Sequence, residues 1–522
     1  MKSFKAIKIA CLCLAFVLAA ASCQEKSDGP DDYVIPSIDL KLDTFGFLAV
    51  NNPLLDGEDA WGRIEGDTIY IDCPGVTSLN QMIPTFSGSY VKVLVDGVKI
   101  TPGQSVVNFS KAREVVLQGY SDSKTKKYSL CIRIQNLIPK VSLRTGSEIT
   151  SRTEYQTATV TVTNYPYDVD FTASGKAKGR GNATFLSYPK KSYKFKLDES
   201  RKVCGFRKNR DWVLLAEYCD KSLMRTTYMN ALSKAAGCEW TPESAHVELY
   251  LNGSYNGVYL LTEQVEEANH KIEISDDGFI IEDDNYYSWE PLYFRTSLYG
   301  RPYTFKYPDV SDGAITKNDD NYTYIKTFMD EMEAALRSGD FQDPEKGYRK
   351  YIDVPSFVRW YLVMELLSCQ DPNFFYVLPT RGARLKMYPV WDAEWILGNA
   401  YAGPGGWTSL PSDFEKMENW RKKRYFPELF RDPYFVEQVY LTWQELKNNL
   451  DSVRDAVAQE TETIRLAQED NFKRWDILNR YVSVEQILFG SWEKELEYAA
   501  SWFEKRIVWF DSYISDLYDS SR

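Results

Sequence analysis

Histidine is nearly absent from this chain of 522 residues, which contains only His246 and His270. Histidine is the commonest zinc ligand and the usual base of serine and cysteine nucleophiles. Because two histidines leave little material for either arrangement, the sequence argues against a zinc enzyme and against a histidine-dependent triad.

The chain also lacks a net positive charge and long apolar runs. The formal net charge is −12, whereas a general nucleic-acid binder needs a basic surface. No stretch after the N-terminus reaches eighteen consecutive apolar residues, the length expected of a membrane-spanning helix. We therefore expect no nucleic-acid partner and no membrane span beyond the N-terminus.

The N-terminus has the pattern of a targeting segment. Three lysines precede a short apolar run, Ile9–Ala21, and the sequence AASC resembles a bacterial lipobox with Ala where Leu is commoner. We predict a lipoprotein signal peptide over 1–22, a lipidated Cys23 and an acidic flexible tether over 23–34. The expected location is outside the cytoplasm, anchored by lipid to the outer membrane or cell surface; an ordinary signal peptidase site nearby is the alternative.

The cysteines that remain after this segment show no CxxC pair and no zinc-like spacing. An exported location permits a disulfide among Cys204, Cys219 and Cys238, although isolated buried thiols are the favoured interpretation. These cysteines are Cys73, Cys131, Cys204, Cys219, Cys238 and Cys369.

Residues 35–138 have the pattern of a small β domain. Short alternating runs such as DTIYIDC and YVKVLVDGVKI are separated by turn residues. This spacing predicts an immunoglobulin-like sandwich. Since no polar cluster accompanies it, we expect a spacer or interaction module.

Two aspartates 21 positions apart, Asp371 and Asp392, each follow an apolar run. The first run, Val354–Leu367, has a helical pattern, and the intervening FFYVL and RLKMYPVW predict a hairpin that returns the chain to its starting point. Both carboxylates should therefore emerge at the same end. Such a pair can hold a divalent cation, run proton chemistry or flank a sugar bond as in glycosidases.

Basic residues upstream suggest contacts to an anion. The stretch SGKAKGRGNATF carries Lys178 and Arg180 among glycines, although such stretches are more often ordinary turns. In the predicted strand PKKSYKFKLDES, Lys191 and Lys196 are candidate phosphate contacts, and a solvated face is the alternative. Nothing in the glycosidase scheme calls for these residues.

Five segments in order, RGNATF, KKSYKFKL, DWVLLAEYCDKSLMR, VELYLNGSYNGVYLLTE and VWDAEWILG, resemble the CotH kinase family of spore-coat and secreted proteins. The resemblance covers about 145–517. It implies an α+β fold, a divergent two-lobed protein-kinase-like domain over 140–522 with a helical C-terminal lobe, following the β-sandwich. It also implies an ATP- and Mg²⁺-dependent (or Mn²⁺-dependent) phosphotransferase.

The resemblance also implies roles for the basic residues and for one acid. Arg180 in RGNATF would lie near the phosphates, and Lys191 or Lys196 would contact them. Glu263, at the end of the LLTE strand, would lie in the hinge beside adenine.

For the two aspartates, the resemblance implies a catalytic-loop acid at Asp371 and a metal ligand at Asp392. Asn373 would be a second metal ligand, but it follows Asp371 by only two residues, sooner than in the family. Glu394 stands where the family often has a second Asp.

Two function classes therefore remain. The first is an envelope kinase that transfers the γ-phosphoryl of ATP to a protein or another exported hydroxyl, for which a supply of ATP outside the cytoplasm is needed. The second is a non-catalytic kinase-like surface protein that binds glycans or a protein partner, because fold alone does not determine function.

Overall fold

Strands dominate the first half of the chain and helices the second, so the protein is of the mixed α+β class. The computed structural model describes residues 37–522 except 56, 75, 77, 78, 111, 113, 122, 136, 137, 165, 166, 168, 312, 400–412, 484 and 486. The predicted signal peptide, the lipidation site Cys23 and the tether lie outside the described residues.

The chain forms two compact units. The first runs to Cys73 and resumes over Ser78–Ile132, and the second comprises Pro74–Thr77 and Arg133–Arg522. The candidate catalytic, phosphate-binding and metal-binding residues all belong to the second unit.

The first unit is built on two sheets. Alternation along the strands directs Val93, Val95, Val115 and Leu117 into its core. One sheet has the order β2-β1-β5 and the other β3-β4-β9-β8-β6-β7. The strands are β1 (Lys41–Phe47), β2 (Ala60–Trp61), β3 (Arg63–Glu65), β4 (Thr68–Pro74), β5 (Pro84–Ser89), β6 (Lys92–Val95), β7 (Val98–Ile100), β8 (Glu114–Gln118) and β9 (Thr125–Gln135).

The second unit begins with a closed barrel in the order β10-β11-β12-β13-β14-β16-β15. Neighbouring strands are antiparallel except β10 and β15, whose parallel pairing closes the barrel. Alternate residues such as Phe195, Trp212 and Tyr259 fill its interior. The strands are β10 (Lys140–Thr145), β11 (Gln156–Thr163), β12 (Phe171–Arg180), β13 (Ser192–Arg201), β14 (Asn209–Leu215), β15 (Ser244–Leu251) and β16 (Ser254–Glu263).

The glycine-rich stretch predicted to form a turn over 174–185 belongs largely to β12, so that prediction is wrong. A Cβ on Gly175 would lie 2.4 Å from the Lys196 carbonyl oxygen, and one on Gly179 would lie 2.0 Å from the Phe185 ring. These glycines therefore allow close packing within the barrel. The turn itself is confined to the residues after Arg180.

A second sheet and a helical region follow the barrel. The sheet has the order β18-β19-β17-β20-β21. Its strands are β17 (Phe279–Asp283), β18 (Tyr293–Arg295), β19 (Pro302–Tyr307), β20 (Phe374–Leu378) and β21 (Lys386–Met387). The helices of the second unit are α1 (Ala183–Leu186), α2 (Arg225–Ala235), α3 (Asp320–Arg337), α4 (Val354–Leu366), α5 (Phe426–Leu429), α6 (Pro433–Leu446), α7 (Leu450–Ile464), α8 (Ala467–Arg474) and α9 (Trp492–Ser521).

The hairpin predicted between the two aspartates is confirmed, since β20 pairs with β21 antiparallel. The helix predicted over Val354–Leu367 is confirmed as α4, which Asp353 caps by accepting from the Ser356 amide at 3.1 Å. The helix α2 begins at Arg225, five residues after Asp220. Asp220 accepts from the Arg225 amide at 2.8 Å and pairs with its guanidinium, which fixes the turn before the helix.

A buried ion pair holds the helical region together. Arg506 of α9 and Glu365 of α4, both with fully buried side chains, are 2.9 Å apart. Arg506 also donates to the Met417 carbonyl, while Glu365 accepts from the amide of Trp420. The pair therefore joins two helices and the 415–420 segment.

The six cysteines after the N-terminal segment are free thiols, in agreement with the favoured interpretation. Across the described ranges, no helix has the length and apolar character needed to cross a membrane.

We predict that Arg506→Met lowers the free energy of unfolding by about 3–5 kcal/mol, because it leaves the Glu365 carboxylate buried without its cation. Urea unfolding followed by tryptophan fluorescence measures the change. The matched control is Glu504→Ala, on the same helix as Arg506. It removes an exposed ion pair with Arg454 of α7 and should cost less than about 1 kcal/mol. Equal losses in the two variants would contradict the assigned role.

Candidate active site

The loops that carry Asp371 and Asp392 lie side by side. The Asn373 amide donates to the Trp391 carbonyl at 3.3 Å, and the Gln370 amide donates to the Trp395 carbonyl at 3.1 Å. The Cys369 thiol donates to the Asp392 carbonyl at 3.4 Å. These bonds bring the two acids to one end of the β20–β21 hairpin, as the sequence predicted.

Asp392 has an unusual backbone and a crowded carboxylate. Its φ is +72°, a left-handed conformation that costs a non-glycine residue free energy and is common at functional sites. Its side chain is exposed to solvent, while neighbouring protein groups crowd the carboxylate. This crowding, followed by the charge of Asp371, raises the pKa of Asp392 to about 7, while Arg180 opposes the shift.

Arg180 links the barrel to these acids. It is the last residue of β12, and its guanidinium lies over the Trp391 ring at 5.3 Å. Desolvation lowers the pKa of Arg180, while the negative charges of Asp392 and Glu282 raise it. The structure thus places a cation from the barrel beside the predicted metal ligand.

Asn373 contributes an amide to the same end of the sheet. Its Nδ2 donates to Oε1 of Glu282, and Oε2 of Glu282 pairs with Lys306 at 2.7 Å. This orientation commits the amide nitrogen and leaves the carbonyl oxygen Oδ1 for a further ligand. Sequence reasoning did not select Glu282, although it closes an apolar run in FIIED as the two aspartates close theirs.

The donors at this end fit a hard divalent cation. Mg²⁺ favours carboxylate and carbonyl oxygens, takes one or two protein carboxylates and completes its shell with water and phosphate oxygens. Asp392 and Asn373 supply such donors, and the excess of negative charge around Asp392 suits a cation. Within the described part of the chain, no group of three or more His, Cys, Asp or Glu residues is assembled as a metal site.

Of the two lysines predicted to contact phosphate, Lys191 contacts the chain around α1, and Lys196 lies on the outer face of the barrel. Lys191 donates to the Phe185 carbonyl at 2.5 Å and to the Tyr188 carbonyl at 3.4 Å, so it anchors the loop after α1. Lys196 points from the outer face of β13 and pairs with Asp211 at 3.1 Å.

Lys196 belongs to a lysine patch on the outer face of the barrel, composed of Lys176, Lys178, Lys194 and Lys196. Strand register places Lys176 opposite Lys196 and Lys178 opposite Lys194. Asp211 pairs with Lys194 at 2.8 Å as well as with Lys196, so one carboxylate partly neutralises four cations. Burial, followed by the charge of Lys194, lowers the pKa of Lys178.

The lysine patch continues along β12 to Arg180, which has the same strand parity as Lys176 and Lys178. A row of cations that ends beside the acidic loops suits a polyanion such as a nucleoside triphosphate. Lys176, Lys178 and Arg180 are spaced two residues apart, which is the sequence signal of a strand with three cations on one face. Interpreting the stretch as a turn hid this signal.

Glu263 is the final residue of β16, where the chain leaves the barrel. Its side chain is buried, and its Oε2 accepts from the Glu243 amide at 3.0 Å. Burial raises the pKa of this carboxyl, and the Glu243 hydrogen bond opposes the shift. The side chain therefore fixes the exit from the barrel.

A buried ionic network surrounds His246 of the barrel strand β15, and sequence reasoning did not predict it. The His246 ring contacts Glu217 at 3.2 Å through Nε2 and Glu460 of α7 at 2.6 Å through Nδ1. Lys190 donates to the Val258 carbonyl at 2.6 Å, and burial lowers its pKa to about 7. Because its partners are up to 214 positions apart, no local pattern could reveal the network.

The family model for CotH kinase protein matches residues 177–510. The chain belongs to the CotH kinase family. The match covers the barrel from β12 onward, both acidic loops and most of α9, so the site described above lies within this CotH kinase region. Comparison with curated proteins found no match.

His246 should make the stability of this CotH kinase protein depend on pH. Burial lowers its pKa, but hydrogen bonds to Glu217 and Glu460 outweigh burial and raise it to about 10. Protonated His246 therefore stabilises the fold fully below its unfolded pKa of about 6.5, and this contribution is lost as pH rises through about 10.

We predict that His246→Gln destabilises the protein most at pH 6 and progressively less toward pH 10. Urea unfolding midpoints at pH 6, 8 and 9.5 test this. His270→Gln is the matched control, since the His270 ring lies 3.8 Å from Glu263, much farther than His246 lies from its two carboxylates. A pH-independent effect of His246→Gln would contradict a charged His246.

Proposed function

We propose that this protein is an ATP-dependent phosphotransferase that moves the γ-phosphoryl group of ATP to a hydroxyl of a protein or of another exported acceptor. The observation that carries the proposal is the hydrogen-bonded pairing of the Asp371 and Asp392 loops beside Arg180. Phosphoryl transfer depends mainly on positioning and charge stabilisation, for which these groups suffice.

In this proposal, Asp371 is the acid nearest the acceptor hydroxyl. Its side chain is exposed to an incoming substrate, and desolvation by surrounding protein raises its pKa. A carboxylate in this position orients the hydroxyl and accepts its proton as the new oxygen–phosphorus bond forms and ADP leaves.

Asp392 and Asn373 would hold Mg²⁺ or Mn²⁺, which neutralises phosphate charge when bound. Arg180 and the lysine patch would contact the phosphates, with Lys196 and Lys194 released in part from Asp211. Glu263 would mark the hinge beside adenine. The Asp392 carboxylate, held in a left-handed backbone by its loop, would keep a fixed direction toward the phosphates.

We further propose that the barrel and the helical region are the two lobes of a divergent protein-kinase-like fold. The first unit would be an immunoglobulin-like spacer. Lipidation of Cys23 would anchor the mature chain outside the cytoplasm, at the outer membrane or cell surface, where its acceptor would be found.

The second candidate is a non-catalytic kinase-like protein that binds glycans or a protein partner. One observation favours it: Tyr286 and Trp289 have exposed rings whose centroids lie 4.9 Å apart, and exposed aromatic side chains are typical of binding surfaces. Nucleotide binding and phosphoryl transfer separate the two candidates.

We predict that ATP with Mg²⁺ raises the melting temperature of the native protein by a few degrees, since a ligand that binds only the folded state stabilises it. Asp392→Ala should abolish this shift by removing the metal ligand. The control is Asp455→Ala, on the exposed face of α7, which should retain it. No shift in the native protein would refute nucleotide binding.

We predict that Asp371→Asn keeps the nucleotide-induced thermal shift but reduces phosphoryl transfer by roughly 10²–10⁴-fold, the usual contribution of a general base. Transfer of radiolabel from γ-labelled ATP to envelope proteins, or to the enzyme itself, measures it. Nucleotide binding without transfer in the native protein would favour the non-catalytic candidate.

A further inference from the structure

A groove outside the acidic loops contains Arg474, whose guanidinium can bind an anion. It has a volume of about 540 Å³ and lies between the loop after α1 and the chain that follows α8. Its walls include four aromatic residues and two arginines: Tyr188, Tyr218, Trp475, Tyr481, Arg474 and Arg480.

Arg474, the last residue of α8, has a fixed position. Its guanidinium stacks on the Trp475 ring at 4.1 Å, and the Trp475 indole donates to the Asn256 carbonyl at 2.7 Å. Asn471, one turn earlier, accepts from Lys190 at 3.0 Å, which ties the helix to the barrel. A stacked guanidinium keeps its edge donors free and pre-oriented for a carboxylate.

The charge of the groove also favours an anion. Arg474 forms no ion pair within the described ranges, whereas Arg480 is paired with Asp476 at 2.5 Å. The walls thus carry one uncompensated positive charge in a protein of net charge −12. Such complementarity selects acidic partners over neutral ones.

The aromatic residues favour a peptide over a sugar. Sugars bind best to a bare aromatic face, but Arg474 covers one face of Trp475, and Tyr218 packs against Trp475 in a T-shaped contact with ring centroids 6.1 Å apart. At the rim, Tyr481 is 62 % exposed and Leu186, in the neighbouring α1, is 60 % exposed. Exposed aromatic and apolar side chains beside arginine are typical of protein-binding surfaces.

The groove is close to the candidate active site. The Tyr188 carbonyl accepts from Lys191, and the Tyr188 hydroxyl bonds Ser483 at 2.8 Å. Tyr218 of the groove wall is followed by Cys219, whose carbonyl accepts from the Asn399 side chain at 2.9 Å. Asn399 also donates to the carbonyl of Glu394, two residues after Asp392, at 2.6 Å, so one side chain links the groove wall to the Asp392 loop.

We propose that this groove docks an acidic segment of the protein acceptor, with Arg474 binding a carboxylate of that segment and Tyr481 packing against its apolar side chains. The proposal rests on the proposed phosphotransferase function for its account of why an acceptor is held here. The docking itself requires no nucleotide, so it can be measured separately.

The test is the binding of a fluorescein-labelled random copolymer of glutamate and tyrosine to the full chain, followed by fluorescence anisotropy without ATP. We expect saturable binding that Arg474→Ala weakens about tenfold, the effect of losing one charge-assisted bidentate contact. Lys473→Ala removes the same charge from an exposed pair with Asp470 and should change the affinity less than about twofold.

Two further variants keep the test decisive if Arg474→Ala proves unstable. Arg474→Lys retains the charge but loses the planar fork, and Tyr481→Ala removes only a rim contact; each should weaken binding about threefold. Equal losses in Arg474→Ala and Lys473→Ala, absence of binding, or full competition by neutral dextran would overturn the proposal. Copolymer binding by a protein whose melting temperature ATP with Mg²⁺ does not raise would leave the groove standing and refute the kinase function alone.

Discussion

The geometry of the candidate active site depends on the buried pair between Glu365 and Arg506. Glu365 accepts from the Trp420 amide at 2.5 Å, and the Trp420 indole in turn donates to the Cys369 carbonyl at 2.9 Å. Cys369 is two residues before Asp371, so an ion pair on the last helix fixes the loop that carries the predicted catalytic acid. Burying this ion pair costs desolvation free energy, so its value lies in the orientation of the Asp371 loop more than in net stability.

The acidic side and the basic side of the site come from different structural elements. The second sheet and its loops concentrate acids around Asp392, while β12 and β13 concentrate cations in the lysine patch. Each set alone is repulsive. A nucleotide with its metal carries both signs of charge, so it would relieve both sets at once, whereas a neutral ligand would relieve neither.

The parts of this arrangement that the sequence predicted are the local ones. The β20–β21 hairpin and α4 follow from run lengths and turn residues, which placed Asp371 and Asp392 together. Lys191, immediately before β13, has the same parity as the inward-facing Tyr193, whereas Lys196 has the opposite parity and lies on the outer face. The links from His246 to Glu460 and from Glu365 to Arg506 join residues 214 and 141 positions apart, which only tertiary packing can specify.

Closure of the barrel has a consequence for how the chain folds. The barrel is sealed by the parallel pairing of β10 with β15, whose contacts include a hydrogen bond from Thr145 to Asn252, 107 positions later. Joining such distant segments costs loop-closure entropy before any stabilising contact forms. In a chain that emerges N-terminus first, β10 lacks this partner until β15 has emerged, so the barrel is completed only then.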